Sequence, residues 1–185
     1  MKQSQKPSAW YANTEASQIV ELAVSLPLLV LMVVGVMDFG SAFNLKHKLD
    51  IGVQQAARVA SVQPMADITN AAPRSTEAVR QAVDSYLASA KINDCGLATA
   101  SSTKAGLAWT YQGSDGCSGT LVLTVDRGTT FRTAGGPPMT VEATRVSISY
   151  PFQWRFGRVV QLIAPGTTFA GTSLLTSEAI AQNLN

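Results

Sequence analysis

Apolar residues are unevenly spread along this chain. From Ile19 to Met37 the sequence reads IVELAVSLPLLVLMVVGVM, interrupted only by Glu21, Ser25, Pro27 and Gly35. As a helix this run spans about 28 Å, close to the hydrocarbon thickness of a bilayer. It is apolar on every side, which suits lipid better than the core of a small protein, so the pattern predicts a membrane segment over about 19–37. Beyond it, Ala42, Leu45, Leu49, Val53, Ala56 and Ala60 recur at steps of three and four and continue the helix as one apolar stripe. Lys46, Asp50, Gln54 and Arg58 fall on a neighbouring face, and Lys46 and Asp50 form an i,i+4 pair of opposite charge. The stripe ends in small side chains (Gly52, Ala56, Ala57, Ala60), which lets another backbone approach closely. One helix from Ser17 to Val62 is predicted, about 69 Å long and twice what spanning requires. Pro64 and the polar run through Pro73 end it.

The remainder alternates helix and strand signals. Residues 74–91 read as a helix with a stripe of Ala78, Val79, Ala82, Val83, Tyr86, Leu87 and Ala90, and Ser75 or Thr76 is available as its N-cap. Asn93 to Gly96 supply stop signals. Leu107–Tyr111, Thr120–Asp126 and Thr140–Trp154 read as strands. In the last of these, Val146, Ile148, Tyr150, Phe152 and Trp154 alternate with Arg145, Ser147, Ser149, Gln153 and Arg155, the pattern of an antiparallel sheet with one face buried. Gly135-Gly136-Pro137-Pro138 is turn chemistry, with no Lys-Ser/Thr pair to make a phosphate cradle. Phe156, Val159, Val160 and Ile163 predict a short helix packed on the sheet, although Trp154, Arg155 and Arg158 beside an apolar face also suit a membrane surface. Thr167–Ile180 supplies a final strand. The predicted class is α+β: a long N-terminal transmembrane helix, then a small domain with one helix on an antiparallel β-sheet.

Composition narrows the function classes. The 185 residues allow one ordinary domain, or a smaller one with an appendage. Hydrophobic residues make up 46% and charged residues only 14%, against roughly 25% charged in an average soluble protein, as expected if part of the chain lies outside water. The net charge of +2 is spread evenly, which argues against a nucleic-acid partner. The apolar content excludes a disordered chain, and two cysteines exclude a disulfide-dense scaffold. A single histidine, His47, excludes a multi-histidine metal site and, set between two lysines, reads as a solvated helix residue. Asp84, Asp94, Asp115, Asp126 and Glu142 show no catalytic spacing, and Asp115 within GSDGCSG lacks the further carboxylates of a calcium loop. The expectation is a protein that is not an enzyme, with no cofactor, no metal and no small-molecule substrate.

Two residues of the apolar run call for a chemical explanation. Glu21 sits one turn inside it, where an unpaired carboxylate costs several kcal/mol. Its side chain either reaches back to the headgroups or meets a cation from another molecule. Pro27 removes a helix hydrogen bond and is expected to kink or loosen the helix. Gly40-Ser41-Ala42 is a passable signal-peptidase site, but the run is long for such a signal, Asp38 intervenes and the helical pattern continues through it. Lys2 and Lys6 on one flank and Lys46, Lys48 and Arg58 on the other leave the positive-inside rule neutral.

ASQIVELAVSLPLLVLMVVGVMDFG, followed by a helical stretch ending QQAARVAS, resembles the amino-terminal signature of TadE-like proteins, minor pseudopilins of tight-adherence (Flp) pilus systems. The resemblance runs from about Ala16 to Ser61; its specific parts are Glu21, Leu26-Pro27-Leu28-Leu29 and Gly35…Asp38-Phe39-Gly40. It implies a type IV pilin-like structural protein used in pilus assembly and adhesion. Residues 1–16 would be a cytoplasmic leader, 17–62 the long helix and 63–185 a periplasmic domain. The partners implied are the inner membrane, a prepilin-type aspartic peptidase, other pilins or pseudopilins and the assembly platform. Placing Glu21 fifth in the mature chain sets the cut between Ala16 and Ser17, with alanine where glycine is usual. The new amine at Ser17 could be neutralised by a neighbouring subunit's Glu21, and Pro27, Leu45, Leu49, Val53, Ala56 and Ala60 would belong to the helix that packs laterally between subunits. The alternative is a single-pass anchored periplasmic binding domain that enters no filament. Cys95 and Cys117 are either free buried thiols or a disulfide; in an oxidising compartment the bond is expected, contributing roughly 3 kcal/mol and tying the end of the second helix to the turn at 113–119.

Overall fold

The computed structural model describes residues 14–132, 140–163, 166 and 171–184. Most of the expected leader, at 1–13, and the Gly135–Pro138 turn lie outside them. Helix α1 runs from Thr14 to Val62 without interruption through Pro27, about 74 Å at the helical rise. It ends two residues before Pro64, where the chain can no longer supply a helix donor.

The alternating segments form a five-stranded antiparallel meander in the order β1 to β5: Ser102–Ala105, Ala108–Gly113, Leu121–Arg132, Thr140–Gln153 and Thr172–Gln182. The three strand expectations and the final strand fall on β2, β3, β4 and β5. The first, β1, is an addition to those expectations: Ser-Thr-Lys-Ala carries no apolar alternation, and as an edge strand three of its four residues are exposed. Register places Trp109, Val125, Val146 and Ala179 in one row, and Tyr111, Leu123, Ile148 and Ser177 in the next, all on the covered face. The opposite face carries Thr110, Thr124, Ser147 and Glu178 and is polar.

The helices make the second layer. The half of α1 beyond Ala42 crosses β4 and β5, and α2 (Arg74–Ser89) lies beside it. At their crossing a Cβ on Gly52 would come within 2.6 Å of the Tyr86 ring, so only glycine permits that approach. One core joins Leu49, Val53, Ala56, Ala57 and Ala60 of α1, Val79, Val83 and Leu87 of α2, and the inner face of the sheet. The end of α1 at Val62 therefore marks the end of a helix and not the edge of the core. Arg127, at a bulge in β3, is almost wholly buried; it donates from Nε to Met65 Sδ at 3.1 Å and from its guanidinium to the Gln63 carbonyl at 2.8 Å, pinning the chain that leaves α1. Burial pushes this guanidinium below its ordinary pKa.

Two local expectations need correction. The cap of α2 is neither Ser75 nor Thr76. Pro73 holds the N-cap position, and Asp67 reaches in from the preceding loop to accept from the Ser75 backbone N–H at 2.9 Å and its hydroxyl at 2.7 Å. A carboxylate there also meets the positive end of the helix dipole. The short helix α3 (Phe156–Ile163) forms, but it packs chiefly on α1 and not on the sheet, and its first N–H finds an acceptor there in Asp38.

Asp84 of α2 carries a pH-dependent cost. Burial, then the neighbouring Asp94 carboxylate, raise its pKa above the usual value, against a smaller opposing pull from Arg80. A carboxyl whose pKa is raised by folding favours the protonated form, so the cost is absent below the unfolded value of about 3.9 and fully present above the folded one. Asp84→Asn is expected to raise the urea midpoint at pH 7 and to leave it unchanged near pH 3. Equal midpoints at pH 7 would show that the pair carries no strain.

Candidate functional site

The two halves of α1 differ in what covers them. In its most apolar 18-residue window no residue is buried, and Ile19, Leu22, Val24, Leu28 and Met32 are each 60–73% exposed. Past Asp38 one face disappears under the domain: Leu49, Val53, Ala56 and Ala60 are at most 1% exposed, and Leu45 packs against the same cluster. The stripe expected to serve lateral packing is therefore spent inside the chain. Those four side chains are not available to a neighbouring subunit, and most of the apolar surface that α1 leaves exposed lies between Ile19 and Phe43.

Glu21 is exposed on the bare half, and among the described residues it has no partner for its carboxylate. Ser17 is exposed as well, and the Ala16–Ser17 bond lies inside α1, which starts at Thr14. Pro27 is half-buried within the helix and leaves the Ala23 carbonyl without its usual donor. Ser25 donates its hydroxyl to the Leu22 carbonyl at 3.4 Å, one residue away from that gap.

Where the bare half meets the domain, polar contacts clamp the two together. Asp38, 3% exposed, accepts from the Phe156 backbone N–H at 2.6 Å and so caps α3 from another helix. The Phe156 ring lies over Gly35, with 3.7 Å to the position of an added Cβ. Further along α1, Asp50 accepts from Lys46 Nζ and from the Ser177 hydroxyl, each at 2.5 Å, which joins α1 to β5. Lys48 donates to the Ala90 carbonyl at the end of α2 at 3.2 Å. The sequence places Asp38 within a motif but assigns it no role. A signal is present: α3 has no acidic residue in its own first turn, and Asp38 is the acid that closes the apolar run.

A cut after Ala42, the rival signal-peptide reading, would fall in the middle of α1 and separate Asp38 from the helix that it caps. His47 is exposed. Cys95 and Cys117 form the disulfide, with Cα atoms 5.5 Å apart. It ties the segment after α2 to the turn after β2.

The uncovered apolar helix and the domain clamped to its far end fit a single-pass membrane protein. Residues 16–58 match the family model described as TadE-like protein, a match that lies on α1 from its third residue to about one turn from its end. The chain matches no curated protein and no solved structure.

Proposed function

We propose that this chain is a minor pilin or pseudopilin-like structural subunit for assembly of a tight-adherence (Flp, type IV-like) pilus. Its work is assembly and not catalysis. The observation that carries the reading is the TadE-like match lying on a helix whose run at 19–37 is apolar, uncovered and interrupted by a single carboxylate, Glu21. The protein sits in the bacterial inner membrane as a single pass, with residues 1–16 cytoplasmic until the prepilin-type peptidase removes them and the domain in the periplasm. Its partners are other pilins or pseudopilins and the assembly platform.

Chemistry supports the role given to Glu21. A lone carboxylate in hydrocarbon costs about 3 kcal/mol on insertion scales, which an amine placed beside it offsets. Cleavage before Ser17 creates such an amine one helical turn away, and a neighbouring helix at a fixed axial stagger brings its own Glu21 to it. Pairing of that kind sets register, while the exposed apolar residues supply contact area.

Intact mass and amino-terminal sequencing of the protein from native membranes test this reading. A mature start at Ser17 is expected, and Glu21→Ala is expected to abolish incorporation into pilus complexes while leaving the domain folded. A start at Met1, with function indifferent to Glu21, would leave a simple anchored periplasmic domain and end the pilin-like mechanism.

A further inference from the structure

The junction between α1 and the domain presents an apolar patch at the domain end of the exposed helix surface, away from the Glu21 pairing. Phe39 and Phe43 project from α1 at 60% and 72% exposure, and Leu174 of β5 stands opposite at 60%. Trp154 fills the floor. Its ring meets Phe39 edge-on at 5.3 Å and Phe152 at 5.0 Å, while Nε1 donates to Ser173 Oγ at 2.8 Å and the backbone N–H donates to the Gly171 carbonyl at 2.8 Å. With its polar edge satisfied inside, the indole offers only an apolar face outward. Together with Lys46 these residues border a shallow depression of about 270 Å³. Arg155, exposed, follows Trp154 at the start of α3.

We propose that this patch rests on the lipid surface at the outer boundary of the bilayer and seats the domain there. The inference depends on the anchored reading above, and its strongest support is axial position. The apolar run ends at Met37, so Phe39 stands about 3 Å and Phe43 about 9 Å beyond the hydrocarbon along a straight helix. The headgroup layer on each side is about 5–8 Å thick, so these rings fall within it and at its rim. Trp154 is held at the level of Phe39, and α3 is fixed to Asp38 at the same height. Aromatic rings with nearby Lys and Arg, continuous with a spanning helix, are the composition that this layer selects. A soluble protein would have to reach the patch through the headgroups, whereas lipid already surrounds a ring at this height on a spanning helix, which makes lipid the occupant the geometry favours.

Full-length protein in phosphatidylcholine vesicles tests this, with bromine quenchers placed on the acyl chains either near the headgroup or near the bilayer centre. A Trp10→Phe background removes the leader tryptophan, and Trp109, fully buried in the core, serves as an internal reference. The Trp154 signal is then the difference between that background and its Trp154→Phe derivative. Bromines near the headgroup are expected to quench the Trp154 signal about twofold, and central bromines much less. Phe43→Ser, at a position 72% exposed and outside the core, is expected to relieve part of the quenching. Protein that floats with vesicles yet shows no difference between quenchers overturns the seating and leaves the anchor intact. Quenching replaced by cross-links between copies across Phe43 overturns it in favour of a subunit contact. Failure to float with vesicles removes the anchored reading and this inference together.

Discussion

A fragment beginning at Gln63 is expected to remain unfolded, whereas one beginning at Phe43 folds cooperatively. The first contains every residue of α2 and the sheet, but it lacks Leu49, Val53, Ala56, Ala57 and Ala60, each at most 2% exposed in the intact chain. Burying those side chains contributes roughly 6 kcal/mol on the usual transfer scale, and their removal also exposes the inner face of β4 and β5 to water. Whole-domain stability is about 5–15 kcal/mol, so this single loss is of the same size as the total. The polar clamps disappear with it: Ser177 loses Asp50, and the Ala90 carbonyl loses Lys48. Circular dichroism and urea titration of the two fragments decide the matter. A cooperative transition from the fragment starting at Gln63 would show that α1 is merely laid on a self-sufficient domain. The shared core also gives the proposed assembly role a mechanical basis, because force on the helix is passed to the sheet through packed side chains and not through a linker.

Breaking the disulfide is the second large effect. Cys95 and Cys117 are separated by 22 residues, and releasing a loop of that size from the unfolded ensemble is expected to cost about 3 kcal/mol. The double variant Cys95→Ser/Cys117→Ser should show this as a lower urea midpoint with a somewhat steeper slope, because the unfolded chain without the cross-link exposes more surface. The native arrangement around the bond is already specific. Cys95 has φ of 54° and Gly96 of 79°, the Cys95 carbonyl accepts from Asp115 N–H at 2.9 Å, and Asn93 donates from Nδ2 to the Gly116 carbonyl at 2.8 Å. A Cβ at Gly113 would stand 2.4 Å from the Cys95 carbonyl oxygen, so β2 and this turn touch backbone to backbone. These contacts hold the geometry once the domain is folded; the cross-link acts chiefly on the unfolded chain. The same protein kept reduced should therefore match the double variant in stability. If the midpoint moved by less than the equivalent of about 0.5 kcal/mol, chain-entropy stabilisation would be ruled out here.

Much of the architecture can be read locally, because periodicity and breakers act over a few residues. The apolar run at 19–37 needs no partner to be recognised as membrane-compatible, Pro64 ends the helix by its missing donor, and the inward-facing Val146, Ile148 and Tyr150 follow from strand geometry alone. The two cysteines allow only one intramolecular pairing. Tertiary structure decided which partner each surface meets. The stripe from Leu45 to Ala60 announces a face that must be buried, but periodicity is the same whether the covering surface belongs to the chain's own sheet or to another subunit. Here β4 and β5 lie within reach and cover it first. Asp38 and Phe156 are 118 positions apart, and nothing local ties a carboxylate midway along one helix to the first N–H of another. Asp67 likewise displaced Ser75 as the cap of α2, because the loop brought a charged acceptor to the helix dipole. β1 forms through its ladder with β2, against a sequence with no apolar alternation. What the chain determines by itself is where apolar surface must be hidden; how that surface is shared among the membrane, the core and a partner is settled only when the strands and helices meet.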